Sequence, residues 1–331
     1  MFRYSPQDFY DFLSEKVELK VERGNRVFPV SDKASDITKC LEAHLKDAGV
    51  EIHLEERCEK VLTQDGHVVG IKTNKTEIKG DKVILCTGGL AYPSTGSEGD
   101  GYRMAKKLGH TIIEPVPALV GIETKEKYVL DVQGLSLKNV RLTIKKGNEE
   151  IFSDFGEMLF AHYGISGPIA ISASSYINRL ELGDVKAVID LKPALDHDKL
   201  EQRLIRDFAA FSKKELHNYI PELLPKSLGE LVLKLSGIEE GRKCSEIRKE
   251  EREKLISLLK GFELQITGLR PFAEAIVTAG GVSTKEINPK TMESKLCEGL
   301  YFAGEIIDVD ALTGGFNITV AAITGFTAGN S

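Results

Sequence analysis

The stretch GLYFAGEIIDVDALTGGFNITVAAITGFTAG, residues 299–329, decides how the rest of the chain is read. Leu300, Tyr301, Phe302 and Ala303 form a short apolar, aromatic run of the kind that makes a buried parallel strand. The run breaks at Gly304 and Glu305, where a missing side chain lets backbone approach a ligand and a carboxylate stands at the strand's carboxyl end. After a polar loop, Thr313, Gly314, Gly315, Phe316 and Asn317 open a helix rich in small residues, with Ala321, Ala322, Gly325, Ala328 and Gly329 along it. Backbone N–H groups at a helix start lack intrahelical acceptors, and the helix dipole adds partial positive charge there. Such a site suits an anion or an electron-rich ring oxygen. The plainer reading of the same residues is a tight turn with close helix packing.

Working outward, a second strand end of the same kind lies far upstream. Residues 82–89, KVILCTGG, run as an apolar strand into Thr87, Gly88 and Gly89, as at a strand terminus facing a bound dinucleotide. The loop that follows carries Tyr92, Pro93, Thr95, Gly96, Gly99, Asp100 and Gly101 before a helix at about residues 102–108. It is longer than an ordinary strand-to-helix connection, which argues for a ligand role.

The remaining elements are conventional. Ser5, Pro6 and Asp8 start a helix; residues 17–21 and 50–54 read as strands; and Asp65-Gly66 is a hairpin turn. Lys33 lies at a polar helix entry, where it either faces a ligand or is a solvated lysine. From residue 118 the texture changes to strands near 119–124, 139–146, 149–155 and 185–191, with an apolar, glycine-rich segment at 155–168 leading into a helix at 169–177. His162 within it is either an acid/base group or a satisfied core histidine. Residues 196–260 carry helical apolar stripes, and strand texture returns at 264–267. Arg270 and Glu274 then sit close to Gly280 and Gly281; Arg270 is either a substrate clamp or one arm of a salt bridge. Because this return precedes the strand at 300–303, residues 118–267 read as an insertion within one α/β domain built from residues 1–117 and 268–331.

Composition narrows the class. The 331 residues are 41% hydrophobic and 28% charged, with a net charge of −6. That is ordinary for a soluble globular protein and offers no general attraction to nucleic acid or to an anionic membrane. The five cysteines, among them Cys58, show no C-x-x-C pair, which argues against a disulfide framework and against a zinc site. No run long enough to span a bilayer occurs, and no signal pattern opens the chain, so a cytoplasmic setting is expected.

Five stretches together carry a resemblance: GNRVFPVSDKAS (24–35), CTGGLAYPSTGSEGDGY (86–102), FGEMLFAHYGISGP (155–168), RPFAEAIVTAGGV (270–282) and INPKTMESKLCEGLYFAGEIIDVDALTGGFN (287–317). In this order they resemble the bacterial flavoproteins called BaiN-like or YhiN-like, which include aminoacetone oxidase. The resemblance implies a glutathione-reductase-like, Rossmann-like FAD-binding domain interrupted by an insert, a β-barrel carrying helices. It implies FAD as cofactor, with NAD(P)H as a candidate electron donor, and hydride transfer between flavin N5 and a small amine, amino acid or enone-like substrate. One departure is visible: no G-x-G-x-x-G unit for the ADP half of FAD occurs, so the FAD domain reads as N-terminally incomplete. The alternative function is a non-catalytic fragment or subunit completed by a separate dinucleotide-binding unit.

By the same resemblance, Thr87, Gly88, Gly89 and Thr95 pass close to the dinucleotide and Lys33 faces it. Cys58 offers backbone contacts near the adenine end. Gly304 and Glu305 hold the ribityl chain, and Gly314, Gly315, Phe316 and Asn317 present N–H groups to the flavin pyrimidine edge. On the substrate side, Arg270 orients a carboxylate or carbonyl, while Glu274, His162 and Tyr92 are candidates for acid/base help. The oligomeric state is not legible.

Overall fold

The computed structural model describes residues 4–22 and 24–331, and the chain divides into two compact units: residues 1–117 with 276–331, and residues 118–275. The second boundary falls at 275 rather than 267.

The first unit opens with α1 (Pro6–Ser14), whose start is closed reciprocally: the Ser5 side chain accepts from Asp8 N while Asp8 accepts from Ser5 N. Strands β1 (Leu19–Glu22) and β2 (Arg26–Pro29) pair antiparallel and lead to α2 (Ala34–Asp47). Strands β3 (Cys58–Gln64) and β4 (His67–Thr73) form the hairpin expected at Asp65-Gly66, where φ values of 51° and 84° suit a primed turn. β5 (Glu77–Lys79) adds to β4. Then come β6 (Val83–Leu85), α3 (Asp100–Lys107) and β7 (Ile112–Ala118).

The second unit contains β8 (Ile122–Thr124), β9 (Ser136–Lys146), β10 (Glu149–Ala161), β11 (Gly164–Ser166), α4 (Pro168–Ile177), β12 (Val185–Asp190), α5 (His197–Ala210), α6 (Leu216–Tyr219), α7 (Lys226–Ser236), α8 (Lys249–Lys260) and β13 (Phe262–Leu269). Its six strands close into a barrel in the order β10-β11-β8-β13-β12-β9. Alternation along the strands fills the interior: Leu142 and Ile144, Ala187 and Ile189, and Leu264 and Ile266 are all buried. Leu200, Leu204, Leu228, Val232 and Ile256 bury the apolar stripes of α5, α7 and α8 in the same core. The apolar, glycine-rich segment 155–168 is built as a hairpin. β10 continues through it to Ala161, and Gly164, at φ 150°, lies so close to the Ile122 carbonyl that no side chain fits.

Back in the first unit, β14 (Val277–Val282) pairs with β7, and β15 (Leu300–Phe302) pairs parallel with β6 in the register Leu300↔Val83, Tyr301↔Ile84 and Phe302↔Leu85. The chain ends in α9 (Phe316–Gly329). Leu85, Val282, Leu300, Phe302, Ile306 and Ile307 form the heart of this unit's core. Residues 50–54, expected as a strand, are extended but pair with nothing among the described residues, and Val50, Ile52 and Leu54 stay exposed. A β-patterned segment without a neighbouring strand has no ladder to join. Among the described residues, β6 likewise pairs only with β15, and Ile84 within it is 40% exposed.

Candidate functional site

The parallel pairing of β6 with β15 puts two loops side by side at the strands' carboxyl ends, the position where α/β sheets bind ligands. Thr87, Gly88 and Gly89 leave one strand; Gly304 and Glu305 leave the other. The loops touch: a Cβ built on Gly89 would land 2.7 Å from Glu305 Oε1 and against the Thr278 side chain. Only a residue without a side chain lets the 88–91 backbone lie this close to the carboxylate. Gly88 adopts φ 71°, a left-handed conformation that glycine takes without strain.

Thr87 points into the first turn of α3. Gly101 there has no room for a Cβ, which would run into the Thr87 side chain and lie 2.5 Å from Ile306 Cδ1. The Thr87 hydroxyl is buried with no hydrogen-bond partner, an orphaned polar group of the kind that marks a ligand or water position. Glu305 is half-buried; its Oε1 accepts the Thr278 N–H at 2.7 Å, and its backbone carbonyl accepts weakly from Tyr102 at 3.4 Å. Burial, with the Glu305 and Asp308 charges adding to it, pushes the Tyr102 phenol well above its ordinary range, so it stays a neutral donor.

Helix α9 packs on the same corner. Gly304 N donates to Thr324 Oγ1 at 2.9 Å, and the Ala321 methyl lies 3.7 Å from where a Gly304 Cβ would be. The small residues of the sequence thus let helix and strand end approach closely. At the helix start, Gly314 (φ 130°) and Gly315 (φ 87°) occupy backbone conformations that side chains rarely adopt, and no side chain caps the helix. The first-turn N–H groups are therefore open to a ligand. Asn317 does something the sequence did not disclose: its amide clasps Ala311, accepting from N at 2.9 Å and donating to O at 2.7 Å, which holds the 311–317 loop shut. Phe316 is 58% exposed beside it.

Other expected residues lie further out. Cys58 begins β3 with Sγ 3.7 Å from Met104 Sδ on α3, and burial raises its thiol pKa, so it rests as a thiol. Next to it, Arg57 grips Asp100, the first residue of α3, at 2.7 Å and 2.8 Å. Tyr92 (φ 49°) is half-exposed in the loop before α3, and the Thr95 hydroxyl closes a turn by donating to Tyr92 O at 2.7 Å. Lys33 precedes α2, exposed, and no contact draws it to the corner described above.

Of the four residues expected on the substrate side, Arg270, Glu274 and His162 lie in the second unit and Tyr92 in the first. Arg270 donates from Nε to Glu274 Oε2 at 3.0 Å and to its Oε1 at 2.5 Å, and from Nη1 to Glu123 Oε1 at 2.8 Å. Its guanidinium lies 4.7 Å from the Tyr163 ring centroid. Arg270 is thus a positioned cation whose two carboxylate partners raise its pKa further, while its hydrogen bonds hold the Glu274 carboxyl below the usual carboxylate range. His162 is exposed rather than a core group. Tyr163, which the sequence reading passed over, lies over Gly121, where a Cβ would strike its ring. Among the described residues no cluster of His, Cys, Asp and Glu could hold a metal, and no helix is long and apolar enough to cross a membrane.

Two parallel strand ends, a glycine-capped helix and a carboxylate between them define a Rossmann-like dinucleotide-binding domain, carried here with a six-stranded barrel. The chain belongs to the HI0933-like protein Rossmann domain family, which it matches over residues 1–331. It is a flavoprotein of the oxidoreductase class. It is 32% identical over 312 residues to a 3-dehydro-bile acid delta(4,6)-reductase of Clostridium scindens, covering 93% of this chain and 76% of the relative. It is 30% identical over 320 residues to a ribosomal RNA dihydrouridine synthase of Haemophilus influenzae, covering 95% and 77%. Among solved structures it is similar to an open-conformation flavocytochrome c3 fumarate reductase, at 18% identity and TM-score 0.43. A quinol-fumarate reductase with menaquinol shows 17% identity and TM-score 0.45. Each aligns with 98% of this chain, which spans only 61% and 55% of theirs.

The corner fits a flavin on its own evidence: a glycine cradle beside a half-buried carboxylate and an orphaned hydroxyl, with α9, whose start no side chain caps, packed on Gly304.

Proposed function

We propose that this chain is an FAD-dependent oxidoreductase that moves a hydride between flavin N5 and a small organic substrate, working in the reductive direction on a C=C bond conjugated to a carbonyl. The observation that carries the proposal is the corner where Gly89 meets the Glu305 carboxylate at two parallel strand ends, beside the buried and unpartnered Thr87 hydroxyl. FAD, when bound and reduced by an external two-electron donor such as NADH or NADPH, would supply the hydride and return to its oxidised form. The chain's own residues hold and bias it. Glu305 accepts from cofactor hydroxyls, Thr87, Gly88 and Gly89 let backbone lie against it, and the N–H groups at Gly314, Gly315, Phe316 and Asn317 favour negative charge on the pyrimidine edge. Lys33, Cys58 and Thr95 stay proposed as outer contacts of the same cofactor. Arg270 is proposed to hold a substrate carbonyl or carboxylate through its remaining N–H groups. A proton from His162 or Tyr92, with Glu274 tuning the charge, completes the saturation.

The names of the bile-acid reductase and the dihydrouridine synthase both describe reductive chemistry, which supports this direction over amine oxidation. A second reading follows from the dihydrouridine synthases: the acceptor is a uracil within RNA, so the net charge of −6 does not decide against a nucleic-acid substrate. Reduced flavoprotein mixed anaerobically with an enone, or with a uridine-containing RNA, tests both. Reoxidation of the flavin with a saturated product supports the proposal and names the substrate class. A flavin that stays reduced with both acceptors contradicts it. Bleaching by NADH or NADPH in the same apparatus identifies the donor.

A further inference from the structure

One buried hydroxyl ties the two strand ends together, and the sequence reading gave it no role. Thr278, at the second position of β14 and 1% exposed, accepts the N–H of Leu90 at 2.7 Å and of Ala91 at 3.0 Å on its Oγ1. Its own backbone N–H donates to Glu305 Oε1 at 2.7 Å. Three segments distant in sequence thus meet on one residue: the loop after β6, the start of β14 and the carboxylate after β15. A threonine hydroxyl has two acceptor positions, and both are filled by backbone donors, one of them, at Ala91, buried. Oε1 of Glu305 is held, while Oε2 accepts no hydrogen bond from the described residues.

Resting on the flavin reading above, we infer that Thr278 is a positioning residue for the cofactor. Its hydroxyl fixes the backbone of the 88–91 loop, its amide fixes the rotamer of Glu305, and together they turn Glu305 Oε2 toward a ligand hydroxyl. Neighbouring geometry requires this residue type. The closeness of Gly89 to both Thr278 and Glu305 leaves no volume for a longer polar side chain, and serine is the only other residue that offers a hydroxyl at the same reach. Valine keeps the shape and the backbone N–H but offers no acceptor, so Leu90 and Ala91 lose their partners.

The test is FAD affinity of the purified protein, followed by the visible flavin bands, for wild type, Thr278→Val and Thr278→Ser. Weaker binding by Thr278→Val, by about tenfold or more, with altered band shape and restoration of both by Thr278→Ser, is the expected result. A valine variant that binds FAD within about threefold of wild type overturns the inference, as does a serine variant as weak as the valine one. Wild type that binds no FAD would instead sink the flavin reading itself. Amide exchange in the wild type covers a valine variant that does not fold. Leu90 and Ala91 are expected to exchange slowly and to slow further with FAD; fast exchange at both, unchanged by FAD, overturns the role assigned to Thr278.

Discussion

A methyl group on Gly89 would sit 2.7 Å from Oε1 of Glu305, although the two residues leave different strands. Strand pairing alone does not demand such closeness, since β6 and β15 need only exchange backbone hydrogen bonds. Gly89→Ala should therefore push the 88–91 loop away from Glu305. The expected cost is ~1–3 kcal/mol of stability, typical of overpacking, with FAD affinity falling at least tenfold. Urea unfolding and flavin titration of the same preparation check the pair of effects.

Gly315 offers the opposite case, because a Cβ there meets nothing within 4 Å and only its φ of 87° resists substitution. Gly315→Asn and Gly315→Asp should cost similar strain, about 1 kcal/mol, and aspartate is the better partner for a helix dipole. Flavin affinity should nevertheless fall more for aspartate, which sets a carboxylate where the electron-rich ring edge is proposed to lie. Aspartate that folds as stably as asparagine and binds flavin equally well would remove Gly315 from the site.

His110 supplies a pH dependence. Its ring is buried, with Nε2 2.8 Å from Ser294 Oγ and Nδ1 3.3 Å from Glu286 Oε2, and burial lowers its pKa despite that carboxylate. Between the folded pKa and the unfolded value of about 6.5, the unfolded chain binds a proton that the folded chain refuses. Stability should fall as pH drops through that window and flatten below it. Glu286, held below the ordinary carboxylate range mainly by the Thr111 hydroxyl, loses its contribution only in a lower window. His110→Gln should abolish the slope near neutral pH in thermal melts while leaving the acid limb.

Arg270→Gln removes the cation shared by Glu123 and Glu274. The partners are partly solvent-exposed, so the stability loss should stay near or below 1 kcal/mol, as for surface ion pairs. Activity should fall much more, with kcat/KM down about a hundredfold if the guanidinium orients substrate. The Glu274 carboxyl, now held below its usual range, should titrate higher in the variant. The stability it gains from the pairing is present above the ordinary carboxylate pKa and lost as pH falls through the depressed one. A purely structural Arg270 would show stability and activity falling in step.

The sequence made the two strand ends legible because glycine after a short apolar run leaves a local mark. The caps at Ser5 and Asp65-Gly66 and the apolar stripes of residues 196–260 were visible for the same reason: each is written in consecutive or periodic residues. What escaped depends on tertiary approach. Residues 50–54 have strand composition, but strand formation needs a partner, and none lies beside them among the described residues. His162 stands in an apolar context yet is exposed, because β10 carries its neighbours into the barrel and turns at that point. Thr278 looks like any strand threonine until β14 sets it between Leu90 and Glu305. The Asn317 clasp on Ala311 likewise joins residues whose relation only the folded loop reveals.

The most direct test of the central claim is amide exchange of the protein with and without its flavin, read along the first unit. The account predicts simultaneous slowing at residues 87–91, 304–306 and 314–318, since these segments are proposed to hold one ligand. Flavin bound at full occupancy with exchange unchanged in the 87–91 and 314–318 segments, or slowed in only one of them, would contradict it.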